Sequence, residues 1–230
     1  MSGLTALAIN SPHKRSAKIK VALADFDSGV GFLPDLAERA NKAQEYYDFD
    51  VVFLPFPTGV VVLNGDFANC YPEVPRLSVP VLADVLVHVP NQLKVDVLCC
   101  LTRNLLDNGT NSDLFTAAHP TNPKIRFVST YGVRGYAKDA GVSFAKATFS
   151  LCITELLQAD VRWGLHEHPE TVGCVLDYCD NRDDLVVSLR LMKFEHAPCR
   201  DKVKDSKMLA AIDKLLALEL DDEQAAAEAR

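Results

Sequence analysis

The sequence predicts an α/β fold, with α+β as the alternative arrangement, built on a single mixed sheet flanked by helices. Three observations carry this. Apolar strand-like runs alternate with segments of helical period along most of the chain. The 230 residues are 48% hydrophobic and 24% charged, an ordinary globular balance with enough length to bury a core. No internal repeat or break in composition divides the chain.

Residues 1–18 are polar and irregular and read as a flexible arm. Ile19–Phe26 reads as a strand of the continuous apolar kind, followed by a turn at Asp25, Asp27, Ser28, Gly29 and Gly31. Leu33, Leu36, Ala37, Ala40, Ala43 and Tyr47 recur at helical spacing, which predicts a helix over 33–47. A strand at Asp50–Phe53 ends at Pro55-Phe56-Pro57, and Val60–Leu63 reads as a third strand, on an edge. Residues 64–76 read as a long loop. Val79–His88 reads as a helix with Pro80 in its first turn. Strands follow at Val95–Leu101 and Ile125–Tyr131, with residues 103–124 as loop between them. Ser143–Val161 is the best long helix, and a short one is expected near Arg182–Met192. Met208, Leu209, Ile212, Leu215, Leu216 and Leu220 mark a terminal amphipathic helix before the acidic, alanine-rich tail Asp221–Arg230. The main domain therefore runs over 19–204, its part from about 164 to 204 being an irregular subdomain, and 205–230 holds the terminal helix and tail.

The net charge of −7, from 24 Lys and Arg against 31 Asp and Glu, argues against a nucleic-acid binder. The basic stretch Lys193–Lys204 reads as a solvated face. No apolar run approaches the roughly 20 residues that span a bilayer. The early basic cluster His13-Lys14-Arg15 follows the short apolar stretch Leu4–Ile9, the reverse of a secretory signal. A cytoplasmic protein with no membrane contact is expected. Seven cysteines, an odd number, do not suggest a disulfide scaffold, and Cys70, Cys99, Cys100 and Cys152 read as buried free thiols. Gly29-x-Gly31 lacks the third glycine of a dinucleotide loop and reads as a tight turn. Ser129, Thr130 and His119 form no recognisable nucleophile motif.

The chemistry concentrates between His166 and Cys199. His196-Ala197-Pro198-Cys199 has the two-residue gap of a metal knuckle, which lets a tight turn aim both side chains at one ion. A structural zinc takes four Cys or His ligands in a tetrahedron. His168, Cys174, His196 and Cys199 make such a set, with Cys179 or His166 as substitutes. Asp177 and Asp180 could orient ligand histidines or serve in turns and caps.

From about residue 19 to 200 the chain resembles the archaemetzincins, zinc metallopeptidases of the metzincin group. Cys174-Val175-Leu176 stands where that family has C-x-M, and His196-Ala197-Pro198-Cys199 where it has C-x-x-C. Phe49–Pro57, Val95–Leu106 and Ile125–Tyr131 resemble its earlier strands. The resemblance implies a metzincin-like fold in which the cysteine-rich region holds a structural zinc. The departures are specific. Leu176 replaces the methionine, His196 the first knuckle cysteine, and the spacer to the knuckle is two residues longer. The helix that should bear H-E-x-x-H contains no histidine, only Ile153-Thr154-Glu155-Leu156-Leu157-Gln158. Glu155 alone can neither hold a metal nor act as base on its water, and it reads as a solvated helix residue.

The expectation is a zinc-binding, metallopeptidase-like protein without the catalytic zinc motif, a binding or regulatory pseudoenzyme with no catalytic residues. Two alternatives stand beside it. One is an active zinc hydrolase using ligands around His166 and His168. The other is an oligomeric scaffold, with the 205–220 helix packing on a second copy or a protein partner rather than on its own domain.

Overall fold

Strand β1 (Ile19–Asp25) is buried from Val21 through Ala24, as its unbroken apolar run requires when both faces of a parallel strand are covered. The computed structural model describes residues 18–26, 28–54, 76–111, 114–179 and 181–221. Helix α1 (Leu33–Ala43) leads from β1 to the parallel strand β2 (Tyr47–Phe53). The chain continues through β3 (Arg76–Ser78), α2 (Val79–Leu86), α3 (Val89–Leu93), β4 (Val97–Thr102), β5 (Leu105–Asp107), β6 (Thr116–Ala118) and β7 (Ile125–Ser129). Helices α4 (Val133–Ala140), α5 (Phe144–Ala159), α6 (Arg182–Leu191), α7 (Ala197–Arg200) and α8 (Ser206–Leu216) complete it. The main sheet has the order β2-β1-β4-β7-β6, parallel except for the antiparallel edge strand β6. β3 and β5 form a separate two-stranded parallel sheet.

Side chains alternate across the main sheet with period two. Val21, Leu23, Cys99, Leu101 and Val128 face the layer that contains α1, α5 and α8. Ala22, Ala24, Leu98, Cys100, Ile125 and Phe127 face the layer of α2. Cys99, Cys100 and Cys152 are buried free thiols. Burial raises the Cys100 thiol far above its usual range.

The boundaries differ from the sequence reading in places, each for a local reason. α1 stops at Ala43, four residues early, because the buried Gln44 side chain closes the helix and starts the strand. Its amide nitrogen donates to the carbonyls of Ala40 and Tyr47, and its oxygen accepts from the backbone N–H groups of Tyr46 and Tyr47. Tyr47 therefore belongs to β2. The expected loop at 103–124 contains β5 and β6, whose three residues each are too few to show a period. α4 went unread because its eight residues include Gly135 and several polar side chains. The strand expected at Val60–Leu63 lies outside the described residues, as do Cys70, Asp180, the loop at 64–75, residues 1–17 of the arm and the tail beyond Asp221.

No single helix among the described residues is long and apolar enough to cross a bilayer. α8 buries Met208, Ala211, Ile212, Leu215 and Leu216 in the same core as α1 and α5, with Leu220 just beyond it. The apolar stripe is thus covered within its own domain. Asp205 caps α8 by accepting from the N–H groups of Lys207 and Met208.

α5 decides where the site lies. Its residues from Phe144 to Leu157 are nearly all buried, on every side of the helix. Ser143 caps it, accepting from the Lys146 N–H at 3.0 Å. The reading of Glu155 as solvated is incorrect: it is 2% exposed and faces the sheet. Arg126, on the same face of β7 as Val128, places its guanidinium 3.3 Å from the Glu155 carboxylate. The guanidinium also donates to the carbonyls of Gln158 and Pro123. Burial pushes the Glu155 carboxyl up to about 7, outweighing the pull of Arg126 in the other direction.

Because the folded pKa lies above the unfolded one, folding favours the protonated carboxyl. This contribution is complete below about pH 4.5 and is lost as pH rises through about 7, a change on the order of 2–3 kcal/mol. Glu155→Gln does not titrate. Denaturant unfolding should show the variant gaining about that much relative to wild type between pH 5 and pH 8. A difference independent of pH contradicts the assignment.

Candidate metal centre

Three chain segments meet at one point, and the second of them is bonded to α5 through Thr154. The first is 166–168, an extended run paired with 176–178. His168 donates its backbone N–H to the Leu176 carbonyl at 3.0 Å, and Tyr178 donates to the His168 carbonyl at 2.8 Å. Alternation along this run sends Glu167 to a surface cleft and His168 the opposite way. The second segment is the turn 173–177. Val175 donates to the Lys193 carbonyl and Lys193 to the Gly173 carbonyl, so the turn is held against the residues that follow α6. The third is the knuckle. His196 precedes the single turn of α7, and the Cys199 and Arg200 N–H groups donate to its carbonyl. Arg200 fixes the knuckle to α8 through a two-point contact with Asp213, at 2.8 and 2.7 Å.

Together these segments bring ligand atoms of His168, Cys174 and Cys199 within 4.8 Å of one another. Cys174 and Cys199 are 2% and 4% exposed. His196 stands beside the three: its Nδ1 is 3.3 Å from the Cys199 sulfur, and its ring lies 4.1 Å from that of His168 between centroids. Of the two substitute ligands, Cys179 is half-buried with its sulfur 3.5 Å from the Asp177 carbonyl, and it lines the cleft. His166 is exposed and stands outside the group.

The donors suit a soft divalent ion. Two sulfurs and one or two imidazoles are the structural-zinc set. Both ring nitrogens of His168 are buried and lack a hydrogen-bond partner, a cost that a bound metal and one neighbour would remove. Burial pushes the Cys174 thiol up to about 11 and raises that of Cys199 as well.

The neighbouring cleft has a volume of about 400 Å³. Ser150, Leu151 and Thr154 line it from α5, Thr116 from the edge strand β6, and Glu167 and Asp177 from the segments of the metal centre. The Thr154 hydroxyl lies 2.6 Å from the Val175 carbonyl, which ties α5 to the cysteine turn. The polar residues that α5 turns to the cleft are thus Ser150 and Thr154, four apart, and not Glu155. Sequence reading passed over this pair because nothing in an apolar helix marks which face is open. Ser129 donates to the Asn104 carbonyl and the His119 ring faces the Ala83 carbonyl, so these two form no catalytic pair.

No protein-family model matches the sequence, and no curated protein does. Two solved structures resemble the fold. The archaemetzincin of Methanopyrus kandleri is 14% identical, with a TM-score of 0.54 over 76% of this chain and 89% of that one. The archaemetzincin of Archaeoglobus fulgidus, in complex with malonate, is 11% identical, with a TM-score of 0.49 over 80% of this chain and 100% of that one. The chain has an archaemetzincin-like α/β fold.

Gly173 has a φ of +82°, and a Cβ built there falls 2.4 Å from that of Leu191. No side chain fits. Gly173→Ala should lower stability by more than about 2 kcal/mol and make Cys174 reactive toward a thiol reagent under native conditions. Unchanged unfolding and a protected thiol contradict this account of the turn.

Proposed function

We propose that this protein binds one structural zinc through His168, Cys174, His196 and Cys199. We further propose that it works as a binding or regulatory protein on a metallopeptidase-like fold, without peptidase chemistry of the metzincin kind. The observation that carries the reading is the convergence of His168, Cys174 and Cys199 within 4.8 Å, with His196 against Cys199. The ion would join three segments that little regular structure holds together, so its binding energy would be folding energy. At the cleft, α5 offers Ser150, Leu151 and Thr154. The Thr154 hydroxyl bonds backbone carbonyls, and hydroxyls are poor zinc ligands beside imidazole and thiolate. The Glu155 carboxylate is buried against Arg126 and does not line the cleft. The cleft is then a place to hold a ligand.

Metal analysis of the purified protein should give one zinc per chain. Cys199→Ser should lower zinc content and thermal stability together. Peptide substrates incubated with the zinc-loaded protein should show no cleavage above a chelator-treated control. A metal-free native protein, or chelator-sensitive turnover, overturns the reading.

A further inference from the structure

Asp177 occupies a singular place in the molecule. Its side chain is fully buried. One carboxylate oxygen, Oδ2, accepts the backbone N–H groups of Val172 at 3.1 Å and Gly173 at 2.7 Å. The other, Oδ1, has no hydrogen-bond partner, and it lies 3.5 Å from Nε2 of His168, itself without one. On the opposite edge of the ring, Nδ1 lies 3.4 Å from the carboxylate of Glu170, a side chain that is 62% exposed and has water to satisfy it. Asp177 also lines the cleft.

Two buried orphan atoms facing each other have one economical solution. A proton on Nε2 satisfies the imidazole and Oδ1 at once. It leaves the Nδ1 lone pair free. The opposite tautomer, with its lone pair on Nε2, leaves Oδ1 a buried carboxylate oxygen with no donor, which is costly.

We infer that Asp177 is a positioning residue: it holds His168 in the Nε2–H tautomer so that Nδ1 is the metal ligand, and it links metal occupancy to the order of the turn that gives the cleft wall Val175, Asp177, Tyr178 and Cys179. The inference rests on the zinc reading above. The link follows from the two oxygens of one carboxylate. Oδ2 closes the turn that presents Cys174 and forms the wall, while Oδ1 takes the His168 proton. When the metal fixes the ring, Oδ1 gains a donor, Asp177 is anchored from both sides, and the N–H groups of Val172 and Gly173 are held more firmly. A ligand in the cleft and a metal at the centre then stabilise one common arrangement, so each favours the other.

The test uses the full chain with histidine labelled by ¹⁵N. In the zinc-loaded wild type, long-range proton–nitrogen correlation should show the His168 Nδ1 metal-bound and Nε2 protonated. The amide of Gly173 should exchange more slowly with zinc than without. In Asp177→Asn, the amide oxygen can keep the two backbone N–H groups while the amide nitrogen faces the ring. A donor there forces the proton from Nε2 to Nδ1, and zinc affinity measured by chelator competition should fall about 10–100-fold. Zinc on Nε2 in the wild type overturns the inference alone, as does Asp177→Asn with unchanged affinity and exchange. A wild type that binds no zinc overturns the zinc reading with it. The wild-type spectrum decides the tautomer even if the variant fails to fold.

Discussion

The constraint on which the rest of this structure depends is the closure of an irregular region by side chains. Between the end of α5 and the start of α8 the only described helices are α6 and the single turn α7, and the chain must nonetheless present a buried surface to the sheet layer. It does so at one point. His168, Cys174 and Cys199 meet there, with His196 against Cys199, and Arg200 carries that point to α8 through Asp213. The proposed zinc would give this point its strength. A tetrahedral ion there would hold side chains from three segments with directional bonds that no cluster of small apolar side chains could supply.

The second organising element is α5, which is buried on all sides and so must satisfy two different neighbours. Toward the sheet it offers Glu155 to Arg126, a pair held between β7 and the helix where neither partner reaches water freely. Toward the cleft it offers Ser150 and Thr154, and Thr154 spends its hydroxyl on the cysteine turn. The helix therefore connects the sheet on one side to the metal centre on the other. Glu155 and Thr154 are the polar side chains that make these two connections. An archaemetzincin-like fold built this way holds the cleft wall together, consistent with the binding role proposed.

Much of the architecture is legible in the sequence because its signals are local. β1, β4 and β7 read as strands since continuous apolar runs of that length have few other uses, and the His196–Cys199 gap reads as a knuckle because a two-residue spacing dictates a turn. What stayed illegible depends on partners distant in the chain. Glu155 looks like any helical glutamate until Arg126, 29 residues earlier, is seen beside it. Gln44 gives no sign that its amide will end α1. The edge strand β6 is too short to carry a period. The role of Asp177 needs the His168 ring and two backbone N–H groups in view at once. The residues lining the cleft come from five places in the chain, and no spacing rule connects them.

The central claim is the identity of the donor atoms around a bound zinc, and X-ray absorption at the zinc edge of the purified 230-residue chain addresses it most directly. The account predicts a four-coordinate site with two sulfur scatterers near about 2.3 Å and two nitrogen scatterers near about 2.0 Å. A shell of five or six oxygen and nitrogen atoms without sulfur, or a protein that retains no zinc to measure, would contradict it.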